Sequence, residues 1–121
     1  MKKGVLLGSL TVLLMFCSMI HAGNSRDVKV INGTGLPIKS ISLDQSGNSV
    51  WNENEISATF QDKEKIEITV EGIDKGCQRN MKVVWADNNA ASIYKDIDLC
   101  KVKVLTLKYD RSLDAATFIT E

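Results

Sequence analysis

Histidine is nearly missing from this sequence. His21 is the single one among 121 residues, and it falls in a segment that the chain is expected to shed. Without imidazole, the commonest general base near neutral pH and the commonest metal ligand are gone. Ser-His-Asp and Cys-His arrangements are excluded on the same ground. Carboxylate chemistry, a Lys base or a Ser-Lys pair stays open, but no motif marks one. No sign of charge dominates, because 15 Lys and Arg balance 15 Asp and Glu. The signs are interspersed without a basic stripe, so nothing favours a nucleic-acid partner. Proline occurs once, as Pro37. No Pro- or Gly-rich linker, low-complexity run or internal repeat divides the chain.

The first two dozen residues have their own character. Lys2 and Lys3 make a charged start, and Gly4 to Ile20 carries no charge. A basic opening, an apolar stretch and a small residue at the cleavage point are the parts of a secretory signal peptide. Ile20 and Ala22 suit the −3 and −1 positions, which puts cleavage before Gly23, or a few residues away. A retained transmembrane anchor is the rival, but it needs about 20 apolar residues. This run is shorter and is diluted by Ser9, Thr11 and Ser18. Phe16 before Cys17 argues against lipidation. The expected division is a signal peptide over 1–22 and one domain over 23–121. The mature chain has 99 residues (121 less 22) and a formal charge of −2, from 13 basic and 15 acidic groups. Its location is then periplasmic or secreted, with no integral membrane segment after cleavage.

Of three cysteines, Cys17 leaves with the signal, and Cys77 and Cys100 remain. A structural zinc site wants four Cys or His ligands. A thioredoxin-like site wants C-x-x-C. In an oxidising compartment two lone cysteines most simply pair. Closing that loop stabilises a fold by about 3 kcal/mol in the chain-entropy model. The bridge is expected to lock the sheets together.

The mature chain reads as β throughout. Lys65 to Glu71 alternates strictly, with Ile66, Ile68 and Val70 on one face. Cys77 to Trp85 puts Cys77, Met81, Val83 and Trp85 on a common face. Gly72 to Gly76 between them suits a hairpin connection. Val28 to Asn32 is an opening strand, Asn32 to Gly35 a turn, and Leu36 to Leu43 the returning strand. A parity shift between Ile38 and Ile41 suggests a bulge. Asp87-Asn88-Asn89 is a turn, Ala91 to Tyr94 a strand, and Val102 to Tyr109 another. Thr117 to Thr120 forms a last edge strand or frays. Six or seven short strands without a helix predict a small antiparallel β-sandwich, immunoglobulin-like, with a small open barrel as the alternative.

Several of these residues also carry a resemblance. Asn32-Gly33-Thr34-Gly35 follows a strand. Ser46-Gly47 and Trp51 come next, then Cys77-x-x-Asn80-Met81-Lys82-Val83. Tyr94-x-x-Ile97-Asp98-Leu99-Cys100 and Leu105-x-Leu107 complete the set. The chain resembles a family of small exported bacterial β proteins with the pattern N-x-T-G…S-G…W…C-x-x-D-[IL]-R-V…W-x-x-V-[DN]-L-C. The match spans most of Val28 to Leu107, and D-L-C is its most specific element. The resemblance implies export, a β fold and a Cys–Cys staple, but no reaction. In this chain Asn80 stands where the pattern has Asp, and Arg79 where it has an aromatic. Trp85 to Asn88 replaces an acidic turn, which weakens any idea of a cation bound there.

The best candidate for function is the segment Asp44 to Glu55. Long irregular connections are uncommon in compact domains and are often functional. Trp51 and Asn52 are its candidate binding residues, with Tyr94 as a further platform. The plainer readings are that Trp51 folds back to cap the sandwich and that Tyr94 packs across strands. Asp87, Asp96 and Asp98 read as solvated carboxylates, since the calcium-loop pattern is absent. Asn32-Gly33-Thr34 fits N-x-[ST] but suits a turn. No catalytic residue, metal or cofactor is expected. The leading expectation is a non-catalytic exported module that binds an envelope protein or surface component. A small-ligand or cation binder is the alternative, and a carboxylate-dependent hydrolase ranks last.

Overall fold

Alternation of side chains decides where each strand lies. In β1 (Ser25–Asn32), Val28, Val30 and Asn32 are buried while the residues between them face outward. β2 (Ile38–Leu43) buries Ile38, Ile41 and Leu43, and its register shifts between Ile38 and Ser40, within the stretch of the expected parity shift. β3 (Lys65–Glu71) buries Ile68 and Val70 and half-buries Ile66. β4 (Gln78–Trp85) turns Arg79, Met81, Val83 and Trp85 inward. β5 (Ala91–Asp98) buries Ser92, Tyr94 and Ile97. Its parity slips at a bulge where Asp96 takes a φ of 59°. β6 (Val104–Asp110) buries Leu105 and Leu107, and β7 (Ala115–Thr120) closes the series as an edge strand. The computed structural model describes residues 25–44, 48 and 50–121. The signal peptide expected over 1–22, Cys17 and His21 included, lies outside them.

The strands form two sheets, ordered β3-β1-β6-β7 and β2-β4-β5. This is the expected all-β sandwich, not closed into a barrel. Neighbours pair antiparallel except β1 and β6, which run parallel with Val30 beside Leu105. The core lies between the sheets, with Trp85, Tyr94, Phe60 and the aliphatic inward faces fully buried. Among the described residues no helix is long and apolar enough to cross a membrane.

Two local readings need correction. The glycine-bearing connection Gly72 to Gly76 does not close a hairpin, because β3 and β4 belong to different sheets. It holds a single 3-10 turn, Ile73–Lys75, entered through Gly72 at a φ of 70°. The Asn32 to Gly35 turn likewise carries the chain from one sheet to the other. Turn chemistry requires a reversal, but it does not say which strand the returning one will pair with. Only Asp87 to Asn89 closes a hairpin between sequential strands of the three-stranded sheet.

The disulfide forms between Cys77 and Cys100, with a Cα separation of 5.3 Å. It joins the residue before β4 to the second residue beyond β5, two neighbours in one sheet, so it does not lock the sheets together. Other contacts do that. Tyr94 Oη donates to the Lys108 carbonyl across the core at 3.0 Å. Trp85 stacks on Tyr109 with centroids 4.6 Å apart. Arg26 of β1 donates to the carbonyls of Cys100 and Val102.

The Asn32 corner shows why N-G-T stands there. Asn32 is fully buried. Its Nδ2 donates to the carbonyls of Leu36 and Phe60 at 2.9 and 3.0 Å. Its Oδ1 accepts from the Thr34 amide and hydroxyl. A Cβ on Gly33 would lie 3.0 Å from the Leu107 carbonyl oxygen, so a side chain there pushes on backbone.

Candidate functional site: an acidic seam beside β3

The long connection after β2 turns back and covers that strand's outer edge. Asp44 bridges Trp51, and Ile38 bridges Phe60. The Asn52 and Glu55 amides donate to the Leu43 and Ile41 carbonyls at 2.8 and 2.7 Å. Asn54 Oδ1 accepts from the Ile41 amide at 2.9 Å. The segment 51–60 is therefore an irregular extra strand, held by main-chain bonds that satisfy an otherwise bare edge. It is a wall more than a loop.

That wall stands opposite β3, and the two sheets gape between them. A cleft of about 730 Å³ is lined by Asn52, Glu53, Asn54 and Glu55 on one side and by Thr69, Val70 and Glu71 on the other. A smaller groove of about 380 Å³ continues from Glu55 along Phe60, Glu64 and Glu67. Glutamates thus recur along the whole seam. Partial burial, and then the charge of Glu71, raise the pKa of Glu55 above the usual carboxylate value. Both causes oppose a second negative charge at that place.

Arg79 reaches the larger cleft from below. It is 4 % exposed, and its donors are taken by carbonyl oxygens: Asp44, Glu71, Gly72 and Gly76, at 3.0 to 3.3 Å. The guanidinium ties β4 to the end of β2 and to the crossing that leaves β3. Beside it Asp44, also fully buried, accepts from the Asn80 amide at 2.8 Å and from Asn80 Nδ2 at 2.9 Å. Asn80 Oδ1 accepts from the Asp96 amide at 3.0 Å and so holds the β5 bulge. Among the described residues no buried side-chain nitrogen or oxygen lacks a partner. The polar floor is a finished structural network.

The three candidate binding residues do not converge. Asn52 lines the cleft. Trp51 is half-buried, and its ring centroid lies 5.7 Å from Lys82 Nζ of β4, a cation–π contact on that sheet's outer side. Tyr94 is fully buried. Its hydroxyl pKa is pushed far up by burial, with a smaller push from Tyr109. Asp98 approaches Cys77 and Cys100 at ligand spacing. Those two sulfurs are bonded to each other, so the thiolates that a metal takes are absent. Asp87 accepts from both terminal nitrogens of Arg111, at 2.8 and 3.1 Å.

Sequence reasoning singled out the segment that carries Glu53 and Glu55, though for Trp51 and Asn52, and it missed Glu71 and Arg79. Arg79 had a signal, since an arginine on the inward parity of β4 must be matched inside. Glu71 had none, because nothing local says that it will face Glu55, 16 residues away (71 less 55).

No family model matches the chain, and no curated protein does. Among solved structures it is similar to an NMR structure of a protein from Eubacterium rectale, at 10% identity and a TM-score of 0.52. The alignment covers 81% of this chain and 89% of the other. At that identity the likeness concerns the fold alone.

Proposed function

We propose that this is an exported, non-catalytic binding module of the bacterial periplasm or envelope. It captures another envelope protein or surface component in the seam between β3 and the segment 51–60. The observation that carries this reading is the cleft of about 730 Å³, whose charged walls are Glu53, Glu55 and Glu71. Among the described residues that line it the one cation, Arg79, is bonded to main-chain carbonyls. Such a lining favours a cationic group on the partner, and clefts with low-dielectric walls focus that attraction. The disulfide is compatible with an oxidising compartment, and the resemblance described above implies export. In the test, immobilised protein is exposed to envelope extract of the native host. A specific partner is retained, lysine oligomers compete for it, and Glu55→Gln/Glu71→Gln releases it. Capture that ignores both changes overturns the seam as the binding site.

A hydrolase reading has one observation in its favour, the convergence of Glu55 and Glu71 with one carboxyl held toward its protonated form. Pairs pushed apart in this way serve as acid and base in glycosidases. Turnover of a chromogenic glycoside or ester that disappears in Glu55→Gln would replace the binding reading. A thermal shift with calcium, abolished by the same change, would favour the cation binder instead.

A further inference from the structure

Four strand edges end the two sheets, and they are treated differently. The β2 edge is covered by the segment 51–60. The β3 edge carries Lys65, Glu67 and Glu71, and β5 carries Lys95, Asp96 and Asp98 with a bulge at its middle. Charges and bulges of this kind discourage pairing with another chain. β7 has none of them. Its sequence, Ala115-Ala116-Thr117-Phe118-Ile119-Thr120, holds no charge, no proline and no bulge. Ile119 is 52% exposed.

The hydrogen-bond phase of β7 follows from its partner. Val104 and Glu121 exchange both main-chain bonds, at 3.0 and 2.9 Å. In an antiparallel ladder bonded and non-bonded pairs alternate. With the register Leu105↔Thr120 to Asp110↔Ala115, residues 115, 117 and 119 bond to β6. Ala116, Phe118 and Thr120 therefore aim their N–H and C=O groups away from it. β7 is the last strand of its sheet, and none of the described residues takes up those groups.

From this edge we infer that β7 pairs antiparallel with β7 of a second copy of the chain, about a two-fold axis at Phe118. Self-pairing must match outward residues with outward residues, which axes at 117, 118 and 119 do for at least two of the three, the axis at 119 pairing only Phe118 with Thr120. The axis at 118 pairs all three: Ala116 with Thr120, Phe118 with Phe118, and Thr120 with Ala116. The axis at 117 pairs only Ala116 with Phe118, because Asp114 is already in the turn, at a φ of 48°. With the axis at 118, Thr117 faces Ile119 of the partner on the outer side, a β-branched pair suited to a sheet. The paired six residues bring no charge to face a like charge. One patch serves both copies, as a two-fold interface requires. β3 and β7 are opposite edges of their sheet, so the seam stays open in the dimer. The inference does not rest on the function proposed for the seam.

The test weighs the oxidised, exported protein by light scattering and sedimentation over a range of concentrations. The expected result is a mass of two copies at high concentration. Thr117→Lys/Ile119→Lys sets lysines against each other, and Thr120→Pro removes one outward N–H while sparing the β6 ladder. Each should give the mass of one copy, with unchanged circular dichroism and, at dilutions where the wild type is itself a single copy, unchanged thermal unfolding. The register is read by cysteine pairs at these exposed positions. Thr117→Cys mixed with Ile119→Cys should cross-link on oxidation, and neither alone should do so. A single-copy mass at every concentration overturns the proposal. So does a dimer indifferent to both edge variants, or cross-linking in the separate cysteine variants but not in the mixture.

Discussion

Asn80 and Asp44 face each other with two hydrogen bonds in one direction. The Asn80 amide and Nδ2 both donate to the Asp44 carboxylate, at 2.8 and 2.9 Å, and the Asp44 amide returns a bond to the Asn80 carbonyl at 3.1 Å. The pair anchors the far end of β2, from which the wall of the seam departs. Asn suits position 80 for this reason, since a second carboxylate has no proton to give Asp44.

Asn80→Asp is therefore expected to cost on the order of 3 kcal/mol at neutral pH, the scale for a buried charge that loses its partner. Two facing carboxylates hold a shared proton more tightly folded than unfolded. The loss should shrink as pH falls through the raised pKa of that pair toward the ordinary Asp pKa, and should be smallest below it. Urea unfolding of both proteins at neutral and acid pH checks the sign, and a neutral effect at pH 7 would contradict the network.

Arg79→Met is expected to destabilise by about 3 kcal/mol, because the buried carbonyl of Asp44 and the partly buried ones of Glu71 and Gly72 lose their donor. Arg79→Lys should recover only part, since a compact ammonium cannot span the positions that a planar fork reaches. Denaturant midpoints of the two variants measure the difference.

Reduction of Cys77–Cys100 should lower stability by about 3 kcal/mol in the chain-entropy model. The bridge joins ends within one sheet, so hydrogen exchange should rise first around residues 77–79 and 97–100. The amides of β1 and β6, in the other sheet, should stay protected until global unfolding.

Glu55 has its pKa raised in the folded protein, so the folded state holds the proton more tightly than the unfolded one. Stability tied to this group is fully present below the ordinary glutamate pKa and is lost as pH rises through the raised value. Glu55→Gln should remove that dependence and stabilise the protein slightly at pH 7, by no more than about 1 kcal/mol once solvent screening is allowed for. Thermal unfolding from pH 4 to pH 8 decides it. A wild-type curve parallel to that of the variant would remove the argument for a strained carboxylate.

Much of this architecture could be read from the residues in order. The alternation of Ile66, Ile68 and Val70, the parity shift after Ile38 and the turn at Asp87 to Asn89 all reappear as described. The cysteines were legible too, because elimination left them one partner. The candidate site was less so. Asn52 lines the seam, but Trp51 packs against β4, and Tyr94 is a core residue tied to Lys108.

The sequence alone determined that this chain makes strands, which side chains share a face in the most regular of them, and that one disulfide closes. Those properties follow from periods of two residues and from counting, and they need no knowledge of distant neighbours. Tertiary structure alone decided that β1 lies parallel to β6, that two glycine turns cross between sheets, and that Glu55 meets Glu71. A turn specifies a change of direction, whereas pairing is settled by which inward faces bury one another. That competition is played out over the whole chain at once.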